Sequence, residues 1–303
     1  MTAALPSCIA FIGFGEVGRI FARDLRTAGV SEIRAFDIAF ADAESAQLRN
    51  ARAQGVEVCS DAPTAVRGAP LVISAVTAGS ALDAARSVVP GIGGDAFFLD
   101  VNSVSPSIKR DAATVVNGAG GRYVESAVMS SVPPHGLQTP MLLGGRHAAA
   151  FAPLGEALGL AANVYSDKIG AASSVKMCRS VMIKGLEALV MECLVSARAY
   201  GVEADVLRSL SDTMPNTDWE QLAGYMIRRS LQHGRRRAEE MREVAKTVAE
   251  TGCEPLMSLA IAARQDWAAG IGRTMGKPAE GDGLGTILET IRSTMSAGMP
   301  STS

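Results

Sequence analysis

What this chain lacks narrows its chemistry first. Its five cysteines (Cys8, Cys59, Cys178, Cys193, Cys253) are an odd number with no C-x-x-C spacing. They exclude a disulfide framework and read as reduced thiols. Three histidines (His135, His147, His233) stand apart from one another. No ligand spacing exists among them, so no metal is expected. Neither sign of charge dominates: 29 Lys and Arg face 31 Asp and Glu, a formal net charge of −2. That balance argues against a nucleic-acid surface. Long apolar runs are missing too. The longest, 181–195, is broken by Lys184, Glu187 and Glu192. It reads as a buried helix rather than a membrane span. Residues 1–7 carry no basic segment of the kind that opens a secretory leader. With the unpaired thiols, this makes a cytoplasmic protein the expectation.

What is present begins at once. The chain has 303 residues, 48% of them apolar. That is enough for about two domains with a substantial core. An apolar run at 8–12 is followed by Gly13, Gly15 and Gly18 in G-x-G-x-x-G spacing. A helical stretch runs to Gly29, and a second apolar run, 33–36, ends on Asp37, nineteen residues after Gly18. Each part has a physical task. The first glycine allows a tight strand-to-helix turn, the second lets a pyrophosphate approach the backbone, and the third lets helix pack on strand. The helix N-terminus, with Phe14, Glu16 and Val17 in its loop and first turn, offers free N–H groups to phosphate oxygens. Asp37 accepts hydrogen bonds from a ribose diol. Strand, glycines, helix, strand and acid arrive in the order a dinucleotide site requires.

The alternation continues. Strands are expected at 56–59, 71–76, 97–101, 123–126, 141–144 and 163–165, with helical segments at 41–54, 80–89, 107–117 and 147–158. Apolar strands alternating with helices imply a doubly wound, mostly parallel sheet. The pattern changes near Ser166. Residues 168–200 hold no proline and are apolar nearly all round, which predicts a long helix buried between other elements. Helical segments follow at 203–210, 218–232, 236–250, 255–269 and 284–295. The expected architecture is an α/β Rossmann domain over 1–166 and an all-α domain over 167–303, with the active cleft between them.

Lys176 and Ser180 are four apart on the long helix and share a face, while Lys184 lies about 80° round from Lys176. A lysine on an apolar helix is costly unless used or paired. In a dry cleft it exchanges protons near neutral pH; otherwise it reaches out to solvent. The run Arg228, Arg229, Arg235, Arg236, Arg237 is followed by Glu239, Glu240 and Glu243, which predicts a mostly solvated, ion-paired helix face, with closure of one of these arginines over an anionic substrate as the alternative.

Four segments resemble the β-hydroxyacid dehydrogenase family, which includes 6-phosphogluconate and 3-hydroxyisobutyrate dehydrogenases. They are FIGFGEVGRIFARDLRTAG (11–29), FLDVNSVSP (98–106), YVESAVMSSVPPHGLQTPMLLGG (123–145) and GAASSVKMCRS (170–180). The helical half is more like a subgroup whose C-terminal domain has no assigned function. The resemblance implies an NAD- or NADP-dependent oxidoreductase acting on a small hydroxy acid, most simply at the 3-hydroxyl of a β-hydroxy carboxylate, and a homodimer that buries the long helix against its partner. It implies that Lys176 is the general acid/base. Asn102, Ser103 and Thr77 then lie along the cofactor, and Ser126, Met129 and Ser130 in the substrate loop. The family's Asn four after the lysine is Ser180 here, beside Arg179, which either clamps a carboxylate or pairs with a surface acid. The family's substrate-loop glycines are absent from ESAVMSS (125–131), which implies a different substrate. Asp37 followed by Ile38 favours NAD, because neither residue receives a 2′-phosphate; NADP is the alternative. Imine reduction on the same scaffold, or a dinucleotide sensor without turnover, are the rival readings. The family's imine reductases usually lack the lysine, which speaks against the first.

Overall fold

The computed structural model describes residues 5–279 and 281–297. It divides into two compact units, the first ending at Met177 and the second starting at Cys178. The division falls eleven residues beyond the 166/167 boundary expected from composition, and leaves Lys176 in the first unit.

The first unit opens with β1 (Cys8–Ile12), α1 (Glu16–Thr27), β2 (Glu32–Phe36), α2 (Ala46–Ala53), β3 (Glu57–Val58) and α3 (Ala62–Val66). It continues through β4 (Leu71–Ser74), α4 (Ala81–Ser87), β5 (Phe97–Asp100), α5 (Pro106–Gly118), β6 (Arg122–Val128) and a short α6 (Val132–His135). It closes with β7 (Met141–Gly144), α7 (Ala148–Ala157), β8 (Ala162–Ser166) and the start of α8 (Ala171–Tyr200). The eight strands form one sheet in the order β3-β2-β1-β4-β5-β6-β7-β8. All neighbours are parallel except β6 and β7.

Two-sided burial explains the apolar strands. Ile9 and Phe11 enter one core with Ile33, Ile73, Leu99 and Val124. Cys8, Ala10 and Ile12 enter the other with Val72, Phe98 and Tyr123. Successive side chains point to opposite faces, so a central strand must be apolar throughout. The chain from 41 to 54 is less helical than its composition predicts. Asp37 caps a 3₁₀ turn over Ile38–Ala41, and α2 starts only after Ser45, whose hydroxyl accepts the Leu48 N–H.

The second unit holds the rest of α8, then α9 (Glu203–Thr213), α10 (Trp219–Ala249), α11 (Leu256–Met275) and α12 (Leu284–Ser296). Two expectations change here. The segments 218–232 and 236–250 are one unbroken helix, α10. Gly234 inside it is a contact point rather than a break, since an added Cβ would lie 2.4 Å from the Gln265 carbonyl oxygen of α11. The basic run is not wholly a solvated face either. Arg237 is 4% exposed and pairs with Glu187 of α8, itself 2% exposed. Arg229 reaches the same carboxylate and stacks over Tyr225.

Helix α8 is also not covered all round by its own chain. Lys184 and Glu187 turn inward to ion pairs with Glu240 and Arg237. Met182, Ile183, Leu186 and Leu189 are left exposed. Buried charges must be paired, and these two inward ones are. Among the described residues no helix is long and apolar enough to cross a membrane.

Candidate active site

The glycine loop follows from steric limits. Gly13 has φ +90°, and a Cβ there would sit 2.4 Å from the Ala75 carbonyl oxygen. A Cβ on Gly18 would sit 2.6 Å from the Gly13 oxygen. Gly15 differs: nothing lies within 4 Å of its missing Cβ. It caps α1 without a side-chain hydrogen bond, so no cap side chain competes for the first-turn N–H groups. Glu16 is exposed and Val17 half-buried. Phe14 offers only backbone, because its ring is fully buried edge-on to Phe11.

Asp37 follows β2 directly. Its Oδ2 accepts the Phe14 N–H at 2.6 Å and its Oδ1 accepts the Ala39 N–H at 2.8 Å. The carboxylate therefore fixes the glycine loop and keeps lone pairs for a diol. Ile38 beside it is 80% exposed. These residues fit a dinucleotide: an uncapped helix start behind a glycine with free space, and an acid at the end of the second strand.

Beyond β4 and β5 the loops are tied together by side chains. Asn102 Oδ1 accepts the Val76 N–H at 2.7 Å, and Nδ2 donates to Ser74 Oγ at 2.9 Å. Asn102 is thus a brace between loops, 4% exposed, with its amide engaged on the protein itself. Exposed Thr77 bonds Ser80 Oγ at 3.2 Å. Beneath them, Asp100 accepts the Asn102 N–H at 2.9 Å, Lys109 Nζ at 3.0 Å and the Tyr123 hydroxyl at 2.6 Å. Burial first, and then the Asp100 charge, hold the Tyr123 hydroxyl well above its ordinary pKa, so it stays a donor. This network holds the β5–α5 turn that carries Ser103.

Lys176 reaches that turn. Its Nζ donates to Ser103 Oγ at 2.5 Å. The amine therefore lies at the carboxyl end of the sheet, where α/β folds bind ligands. Helix α8, which carries it, starts under a buried acid. Glu125 of β6, 0% exposed, accepts the Gly170 N–H and the Ser173 N–H, each at 2.6 Å. Sequence reasoning gave Glu125 no role, nor Asp100, Lys109 or Tyr123. The available signal was a charge inside an otherwise apolar strand.

The substrate-loop candidates separate. Met129 is half-buried and Ser130 exposed. Ser126 is fully buried, and its hydroxyl has no hydrogen-bond partner. By strand alternation it points to the core face with Val124 and Val128, away from Glu125. On α8, Arg179 is exposed, while Ser180 is buried and accepts from Lys184 Nζ at 3.5 Å.

Comparison with known proteins agrees with this construction. Residues 8–170 match the NAD binding domain of 6-phosphogluconate dehydrogenase, and residues 197–268 match a domain of unknown function, DUF1932. A conserved hypothetical protein from Sinorhizobium meliloti 1021 is 35% identical, with TM-score 0.73, over 95% of this chain and 96% of that one. A second conserved protein of unknown function, described as structurally similar to 3-hydroxyacid dehydrogenases, is 36% identical. Its TM-score is 0.67, over 86% of this chain and 96% of that one. The 3-hydroxyisobutyrate dehydrogenase of Mycobacterium tuberculosis, solved with L-serine, shares the fold at 20% identity. Its TM-score is 0.66, over 94% of this chain and 99% of that one. The N-terminal half is therefore an NAD(P)-binding domain, and the chain belongs to the hydroxyacid dehydrogenase-like family built on the NAD binding domain of 6-phosphogluconate dehydrogenase.

Proposed function

We propose that the protein is an NAD-preferring oxidoreductase that interconverts the hydroxyl-bearing carbon of a small 3-hydroxy acid and the corresponding carbonyl, with Lys176 as general acid/base. One observation carries the reading: the Lys176 amine meets Ser103 just past β5, in the unit that also holds the glycine loop and Asp37. Bound NAD would supply the hydride acceptor. Gly13, Gly15 and Gly18 shape its pyrophosphate seat, and Asp37 takes its adenosine ribose. In the oxidation direction a neutral Lys176 amine accepts the hydroxyl proton as the carbinol C–H bond breaks. In reduction the ammonium returns that proton to the developing alkoxide. Ser103 Oγ keeps the amine aimed at the reacting oxygen. Asn102 holds the Ser103 turn. Met129 and Ser130, together with Arg179 and Ser180 on α8, are the proposed substrate contacts. Arg179 suits a carboxylate, with which it forms paired hydrogen bonds.

The helical region after residue 166 is assigned to substrate selection and dimerisation. The outward stripe Met182, Ile183, Leu186 and Leu189 is the proposed homodimer surface. We assign the protein to the cytoplasm, since all five cysteines are free thiols.

The test is a panel of 3-hydroxy acids with aliphatic, aromatic and phosphorylated tails, followed by NADH absorbance, beside cyclic imines with NADPH. Hydroxy-acid turnover should fall about 10²- to 10⁴-fold in Lys176→Ala while NADH affinity holds. Full turnover in that variant rejects the acid–base role. Imine turnover alone moves the assignment to imine reduction. Tight NADH binding with no turnover moves it to a sensor.

A further inference from the structure

We propose that Glu125 is a positioning residue: its buried carboxylate clamps the first turn of α8 and so sets where the Lys176 amine stands. The kinetic part of this proposal rests on the acid–base role given to Lys176 above; the geometric part does not.

A carboxylate with no solvent exposure is costly in an apolar strand unless its oxygens are satisfied. Glu125 satisfies both on one target. Oε2 takes the Gly170 N–H and Oε1 the Ser173 N–H, which are among the donors a helix start otherwise leaves unpaired. Two bonds from one rigid group fix the turn in rotation as well as in position. A negative charge at a helix N-terminus is also favourable in itself.

The surroundings are shaped to the carboxylate. Gly144 of β7 is the register partner of Glu125, and a Cβ there would sit 2.6 Å from Oε2. At the neighbouring Gly145, with φ +102°, a Cβ would sit 2.2 Å from Ile169 Cδ1, just ahead of the clamp. Gly170 itself has φ +96°, which turns its N–H to the acid as the chain enters the helix.

The link to the amine is short. Ser173 and Lys176 are one helical turn apart on the same face. The turn that Glu125 grips is the turn from which Lys176 extends, and Lys176 then meets Ser103. A cap that served stability alone would need no such register between its second bond and the reactive amine.

The experiment uses the full chain with Glu125→Gln, Glu125→Asp and Gly144→Ala. Glutamine keeps the shape but turns an NH₂ against one backbone N–H. Aspartate keeps the charge and falls short by a methylene. Gly144→Ala displaces an intact carboxylate. The first readout is the pH dependence of Lys176 acylation by a small amine-specific reagent, followed by peptide mass spectrometry. The rate should change about 10-fold in Glu125→Gln and Gly144→Ala, the weight of one hydrogen bond to a charged group. Aspartate should restore part of it. The second readout is turnover. We expect kcat to fall about 100-fold, as for a small misplacement of a reacting group, with KM and NADH affinity within about two-fold. If Glu125→Gln does not fold, Gly144→Ala and Glu125→Asp decide. Folded variants whose Lys176 acylates as in the parent overturn the proposal. If Lys176→Ala keeps full turnover, the acid–base reading falls, and the acylation profile still judges the clamp.

Discussion

Asp37 performs two tasks with one carboxylate, and its neighbour performs none that the chain itself requires. Both Asp37 oxygens bond backbone N–H groups of the glycine loop and the following turn, while Ile38 is almost bare to solvent. A 2′-phosphate arriving there would meet the Asp37 charge and an apolar Ile38 side chain. Ile38→Arg, alone or with Asp37→Asn, should therefore move the NADPH/NADH affinity ratio towards NADPH by about 10- to 100-fold, the weight of a phosphate–guanidinium bond. Fluorescence titration with both nucleotides checks it. An unchanged ratio places the ribose elsewhere. This part of the site was legible because its logic is local: Gly13, Gly15, Gly18 and Asp37 lie within twenty-five residues. The Glu125 clamp was not legible, since its partners are 45 and 48 residues away and become neighbours only when β6 and α8 are in place. Asn102 was visible as a polar residue in the right turn. Its work as a brace to Val76 and Ser74 depends on strand order, which spacing does not show.

Among the elements, the strands were the most legible, because β1, β4 and β5 are buried on both faces and read as apolar runs. The helical half was harder. Gly234 reads as a stop signal in sequence, yet α10 passes through it. The glycine serves contact between helices. Its missing Cβ admits the Gln265 carbonyl, and Gly272 of α11 likewise admits the Leu231 carbonyl, where a Cβ would sit at 2.3 Å. Gly234→Ala would improve helix propensity by about 1 kcal/mol in isolation. Against a backbone oxygen it should instead cost about 1–3 kcal/mol, because two helices would have to move apart. Thermal or denaturant unfolding measures the sign. A stabilised variant would mean that α10 and α11 lie farther apart than described. The ion pair of Arg237 with Glu187 was hidden for a related reason. Glu240, three residues on, is the natural partner by sequence, whereas packing brings Glu187 of α8 instead.

For the whole molecule, the exposed apolar surface that asks for a cover is the outer stripe of α8. Met182 is 64% exposed and Leu189 57%, with Ile183 and Leu186 beside them. Four apolar side chains in one stripe are more than an isolated helix surface ordinarily offers to water. Light scattering at micromolar concentration should give the mass of a dimer. A double variant, Leu186→Glu with Leu189→Glu, should shift it towards the mass of one chain without loss of helix content. A parent protein that stays a single chain contradicts the dimer. The composition foresaw α8 as wholly covered because it counts apolar residues; it does not say that Lys184 and Glu187 claim the covered side.

The facing of Glu125 and Gly144 across the antiparallel strands has an evolutionary corollary. Neither position is free to drift alone: a methyl group at 144 would collide with the acid, and a shortened acid at 125 would leave a hollow beside 144. Descendants of this chain should therefore keep both or exchange both, and a lineage that abandons the pair must find another way to hold the helix that bears its lysine.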